Sequence, residues 1–372
     1  MPDDRTFDDP RPPTEEEWGT PLVEARSAPD LERAFRRRVG VVSGAVPYVA
    51  PHPWLYRPFL FLGAPSLTAL DESFATSLSF IIARDNSCRF CYSTFRTLLR
   101  LSGHAPADLD ELETHFSMQD FGDEEEWGLR LAVRLSRCTN VPDAIERLQS
   151  MGVAAPAIRE IAGVSVLNLA ANRIGTTLSI PVSRVEEAAG DALQRLGRVV
   201  VTSLRRWVGA WTRAESAPKG GTPDGPLAPW LQTLHGTPAG MVVRDLVDQW
   251  LDEGRPFSRS TKLLILAVVA RGTGATRLEE RLRTRLGEEH HLSGEAFEAA
   301  VDHFGGPAVA ESVEPLLQFA RASIRYDFGP IKRTARTCTE GLDRAQTLEV
   351  IASISIANAL ARLEQLFVLN DV

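Results

Sequence analysis

What this chain has little of narrows it first. Four cysteines among 372 residues are too few for a disulfide scaffold, so a close pair reads as a redox or metal site. A basic excess is missing. The chain carries 41 Lys and Arg against 49 Asp and Glu, a net charge of -8, and so has no surplus to displace phosphate counterions from nucleic acid. Its one basic cluster, Arg36 to Arg38, reads as a solvated helix face. No apolar stretch reaches bilayer length, and the opening MPDDRTFDDPRPPTEEEWG has no apolar signal core. The expectation is a cytoplasmic protein with neither a nucleic-acid nor a membrane partner. No G-x-G-x-x-G fingerprint is present, so no nicotinamide or flavin cofactor is expected.

What is there suits a folded protein. Hydrophobic residues make up 44% and charged residues 24%, enough apolar surface for a sizeable core, which excludes disorder of the whole chain. Residues 1–28 are rich in Pro, Asp and Glu and read as a flexible arm that a partner subunit would order. Residues 212–229 concentrate Gly, Pro, Ser and charge and read as a linker. They separate a first unit, 29–211, from a second, 230–372. Apolar residues three and four apart dominate elsewhere, as in IANALARLEQLF, and strand patterns are scarce. An all-α fold is expected.

The two units are related. Phe80–His104 placed over Ala267–His291 without a gap sets Ala83, Arg84, Arg96, Thr97, Leu99 and His104 on Ala270, Arg271, Arg283, Thr284, Leu286 and His291. Further on, Arg173 falls opposite Arg362, and Pro53-Trp54-Leu55 corresponds to Pro229-Trp230-Leu231. The order of matches is the same in both units, as an old duplication requires. One difference bears on chemistry. Cys88 and Cys91, a C-x-x-C in the run RDNSCRFCYSTF, fall opposite Ala275 and Leu278, so only the first unit carries the thiols.

A bridge across two intervening residues closes too small a loop to stabilise much, so the value of the pair is chemical. With Asn86 or Ser87 as N-cap, Cys88 falls in the first turn of a helix, where free amides and the helix dipole favour a thiolate. By position at the helix start Cys88 is the more exposed sulfur. Zinc is disfavoured, because Cys138 and Cys338 are single and read as core residues, and no metal is expected.

These segments together resemble the AhpD-like alkylhydroperoxidase and carboxymuconolactone decarboxylase superfamily. The likeness rests on VPYVAPHPWLYRPF, SLSFIIARDNS, the C-x-x-C, LSGHAPADLDEL and the later Asn172-Arg173. It implies an all-helical, duplicated AhpD-like fold with two pseudo-symmetric repeats, assembled as a homodimer or higher homo-oligomer. It also implies a thiol-dependent oxidoreductase, a peroxidase or disulfide reductase. Cys88 and Cys91 would cycle between dithiol and disulfide with a small peroxide or disulfide as substrate and an external thiol as reductant. By resemblance Cys91 lies nearest the family's proton relay, so the attacking sulfur stays open. The relay itself departs, because its Glu and His positions fall on Thr76 and Phe95. The alternatives are a decarboxylase-type or specialised biosynthetic enzyme acting on a small molecule, and a non-catalytic redox-sensing oligomer.

Other residues read as structural. His104, His290 and His291 read as capping or packing residues, Trp127, Trp207, Trp211 and Trp250 as core or interface anchors, and Asp123 to Glu126 as a helix start. Asn172 reads as a residue satisfying backbone within a buried helix contact. His52, between two prolines, is the candidate substitute for the missing relay.

Overall fold

The computed structural model describes residues 12–50, 52, 54–116, 121–182, 225, 227–252, 256–305 and 309–370. Most of the expected linker, Trp207, Trp211, Pro53 and residues 1–11 of the N-terminal arm lie outside them. The all-α expectation holds, with eighteen α-helices and no strand among the described residues.

A short entry leads in through α1 (Glu15–Trp18), α2 (Pro29–Val39), α3 (Val46–Val49) and α4 (Arg57–Gly63). Then come α5 (Glu72–Asp85), α6 (Arg89–Leu101), α7 (Pro106–His115), α8 (Asp123–Arg137), α9 (Val141–Ser150) and α10 (Ala155–Leu178). After α11 (Ala228–Gln232) and α12 (Pro238–Trp250) a similar order returns: α13 (Arg259–Thr273), α14 (Thr276–His290), α15 (Gly294–His303), α16 (Glu314–Ala322), α17 (Phe328–Thr339) and α18 (Arg344–Arg362). A 3-10 turn, Leu363–Asn370, closes the described chain.

Sequence fixes the ends of these helices. The side chains of Asp71, Thr237, Ser258, Ser293 and Asp343 each accept an amide of the first turn they precede, satisfying donors that the helix leaves open. The acidic run Asp123 to Glu126 does open α8, as its charge suits. His104 follows the last turn of α6, and His291 is the left-handed C-cap of α14.

Two helices are buried on every side over most of their length, α10 from Glu160 to Leu178 and α18 from Thr347 to Arg362. They pack against each other, with α5 and α13 as further interior layers. The amphipathic helices form the shell. The segment Arg344–Leu369 has the length and apolarity to cross a membrane, unlike any run foreseen from the sequence, but 83% of its window is buried inside the fold. It is a core helix.

Two arginines tie the runs together. Arg173 of α10 donates to the carbonyl of Ser323 at the end of α16. In return, Arg362 of α18 donates to the carbonyl of Ser136 in the last turn of α8, at 2.9 Å. Each run therefore sends its arginine into the other.

Candidate functional site

The thiols sit where α5 turns into α6. Arg84 pairs with Glu113 and Arg96 bonds Tyr92 and approaches Asp110, while Arg271 and Arg283 pair with acids of α14 and α15. These arginines hold helices to helices, as their presence in both units implies. After α5 the chain reverses through Ser87, a non-glycine residue at φ 50°, and the Cys88 amide donates back to Ala83 at 3.0 Å. Its counterpart in the second run is Gly274 at φ 74°, after which the Ala275 amide donates to Ala270 at 2.8 Å.

That turn corrects one expectation. The N-cap of α6 is neither Asn86 nor Ser87 but Cys88 itself, whose sulfur accepts the Cys91 amide at 3.4 Å. Asn86 ends α5 instead and accepts a hydrogen bond from Ser136 at 2.7 Å. Cys88 is therefore a sulfur in the position usually held by a Ser or Asp oxygen. Exposure also departs from the helix-start rule. Cys88 is 0% and Cys91 3% exposed, so neither faces solvent, and neither is in a disulfide.

Across from them lies Gly175 of α10. A Cβ there would stand 3.0 Å from the Cys88 sulfur and 3.5 Å from the Cys91 sulfur, so both sulfurs lie against one turn of α10, and a side chain there would press on Cys88. In the second run Glu364 stands two residues past Arg362, as Gly175 stands two past Arg173. Its carboxylate accepts the Arg277 amide at 2.9 Å and the Leu278 amide at 2.7 Å. The same helix start thus meets a carboxylate in one run and a pair of sulfurs in the other.

Tyr326, which responds to charge on Cys88, links the thiol turn to two buried arginines. Arg173 and Arg362 are buried, and neither has a carboxylate partner among the described residues. Burial pulls Arg173 down to about 10, partly offset by Tyr326, over whose ring its guanidinium lies at 4.0 Å. Tyr326 donates to the Leu169 carbonyl at 2.8 Å. Burial raises its phenol pKa and outweighs the lowering by Arg173 and Arg362, with charge on Cys88 a smaller raising effect, so it stays protonated. Asp85, next to the turn, is raised by burial despite its pair with Arg137. On α10, Asn172, Thr176 and Thr177 hold buried side-chain atoms with no hydrogen-bond partner, a concentration of unspent capacity rare in folded cores. Asn168, not Asn172, satisfies backbone, donating to Val164 and to Ser79 at 2.9 Å each.

His52, the candidate substitute for the relay, is bonded to a different group. Its Nε2 lies 3.0 Å from Glu349 of α18, whose other oxygen lies 3.0 Å from the fully buried Lys262 of α13. Lys262 also donates to the Trp250 carbonyl at 2.6 Å. The corresponding glutamate of α10, Glu160, instead accepts the amides of Thr68, Ala69 and Leu70. Of the other cysteines, Cys138 is half-buried and Cys338 is buried, with its thiol pushed up to about 12 by burial. No group of three or more metal-ligating side chains occurs among the described residues.

No family model matches this chain, and neither a curated protein nor a solved structure does. The reading of its chemistry rests on the geometry just described.

Tyr326 and Asp85 are the members of this surround that sequence reasoning missed. Asp85 lies inside the quoted motif and was signalled by adjacency alone. Tyr326 comes from the loop before α17, and no local pattern pointed to it.

Proposed function

We propose that Cys88 and Cys91 form a redox dithiol and that the protein is a thiol-dependent oxidoreductase acting on small peroxides. The observation that carries this is the exchange of Glu364 for thiols at corresponding helix starts. Where the second run sets a carboxylate on the amides of α14, the first leaves a glycine and brings Cys88 onto the amide of Cys91. A helix start that accepts a carboxylate favours a thiolate for the same electrostatic reason. Arg173, two residues before Gly175 on α10 and without a carboxylate partner among the described residues, keeps its charge in the same core, because a guanidinium stays protonated in a protein interior.

Cys88 is the nucleophile in this proposal. Its thiolate attacks the outer oxygen of a peroxide, the O–O bond breaks, and the alkoxide leaves with a proton as alcohol. The Cys88 sulfenic acid then condenses with the Cys91 thiol, releasing water and forming the disulfide. Two equivalents of an external thiol return the pair to the dithiol and leave as their own disulfide. Burial of both sulfurs restricts the oxidant to a small molecule, and the unpaired atoms of Asn172, Thr176 and Thr177 offer it hydrogen bonds.

The same reading takes the two helical runs as a duplicated AhpD-like unit, which the repeated helix order and the reciprocal Arg173 and Arg362 contacts support. A homo-oligomeric, cytoplasmic enzyme with an external thiol reductant belongs to this proposal.

The test is peroxide-driven thiol loss followed by mass spectrometry. A Cys88–Cys91 disulfide should form in the native chain, and Cys91→Ser should trap a sulfenic acid on Cys88. Cys338 serves as the internal control, since its thiol titrates near 12 and should stay unmodified. Two inert thiols at neutral pH would end the proposal. Peroxide oxidation without turnover, accompanied by a change in oligomer size, would move the reading to a redox sensor.

A further inference from the structure

A second cleft has neither thiol in its lining. Between residues 22–26 of the N-terminal segment and the corner where α17 gives way to α18, a cleft of about 420 Å³ opens, within the range of small-molecule sites. Three arginines line it, Arg26, Arg336 and Arg344, with Glu24 and Glu340. The wall therefore carries a cationic surplus in a chain whose net charge is -8.

None of the three is neutralised by a carboxylate side chain among the described residues. Arg344 is spent as a brace, donating to the backbone carbonyls of Pro47, Tyr48 and Ala50 at 2.8 to 3.3 Å and to that of Glu24. Carbonyls satisfy its donors but leave its charge in place. Burial and the neighbouring Arg26 both lower its pKa, against a smaller opposing effect of Glu24, so Arg26 and Arg344 repel each other. Arg26 and Arg336 are exposed, one on the extended segment and one on α17, and their guanidinium forks are free to close on a ligand from two walls. A planar fork facing an oxyanion is the arrangement that binds carboxylate or phosphate in two-point fashion.

We propose that this cleft binds a small polyvalent oxyanion, a di- or tricarboxylate or a phosphate ester, clamped between Arg26 and Arg336 with Arg344 behind it. The proposal stands whether or not the thiols turn over.

Titration calorimetry on the full chain at constant ionic strength, with citrate and inorganic pyrophosphate as probes, tests it. At least one probe should bind with a Kd below about 1 mM, and Arg26→Gln combined with Arg336→Gln should weaken it by about tenfold or more. If circular dichroism shows that the double variant is misfolded, the single Arg26→Gln, which lies outside any helix, should still weaken binding several-fold. Binding of citrate alone assigns the site to carboxylates, and of pyrophosphate alone to phosphates. Absence of heat from either probe beyond a matched chloride control would overturn the proposal, as would wild-type affinity in the variants.

Discussion

Glu349 shows how much one buried charge can matter. Burial pushes its pKa up, but the hydrogen bond from His52 and the charge of Lys262 outweigh this and hold the carboxyl below its ordinary value. A depressed native pKa contributes stability that is fully present above the unfolded value, about 4.3 for Glu, and is lost as pH falls through the native value. Glu349→Gln strands Lys262 in the core. The expected cost at neutral pH is about 3–5 kcal/mol, the range for breaking a buried pair. Urea melts across pH should show the gap between native and variant protein closing below about pH 4. A gap that stays constant with pH would mean that Glu349 acts through packing rather than charge. None of this cluster was legible in the sequence, since His52, Lys262 and Glu349 belong to three distant segments and no periodicity joins them. The thiol pair was legible because its two members share one helix start.

At the scale of elements, the N-terminal segment is tied to both helices that meet at the thiols. Pro13 accepts a hydrogen bond from Arg89, the residue after Cys88, at 3.2 Å. Trp18, at the end of α1, donates its indole N–H to Ile180 at 2.8 Å and stacks on Phe328 at 5.3 Å. Leu22 donates to the last carbonyl of α10 at 2.9 Å. The segment therefore runs from the start of the thiol helix to the end of the helix that carries Gly175. The sequence led to an expectation of an arm ordered by a partner subunit, because composition reports low apolar content but not that one tryptophan has a socket in its own chain. Trp18→Ala should empty that socket and loosen the segment, at a cost of about 3–5 kcal/mol by the usual scale for large aromatic deletions. Maleimide labelling read by mass spectrometry should show faster modification of Cys88 or Cys91 with Cys338 unchanged. Equal rates in both proteins would show that the segment does not control access.

Across the whole molecule, the all-α class followed from apolar spacing, and the Arg173 and Arg362 correspondence was visible before the fold. What these arginines touch was not visible, because a side chain that crosses between two runs has no partner within its own stretch. The same holds for Glu364, whose role at the start of α14 exists only once α18 and its 3-10 extension are laid beside that helix. These crossings make one body of the two runs. Arg362 donates to Ser136, Asn358 and Ile324 from a buried position, so Arg362→Met would remove the charge, strand the buried Ser136 carbonyl at about 1–3 kcal/mol before relaxation, and leave the Asn358 and Ile324 carbonyls one donor fewer. Loss of several kcal/mol is expected, spread over the whole chain rather than confined to α18. If the runs are coupled in this way, tryptophan fluorescence and far-ultraviolet circular dichroism should give coincident urea transitions in the native protein. In Arg362→Met that single transition should move to lower urea or divide in two. A native protein with two separated transitions would mean that each run folds by itself and that the arginine exchange contributes little to joining them.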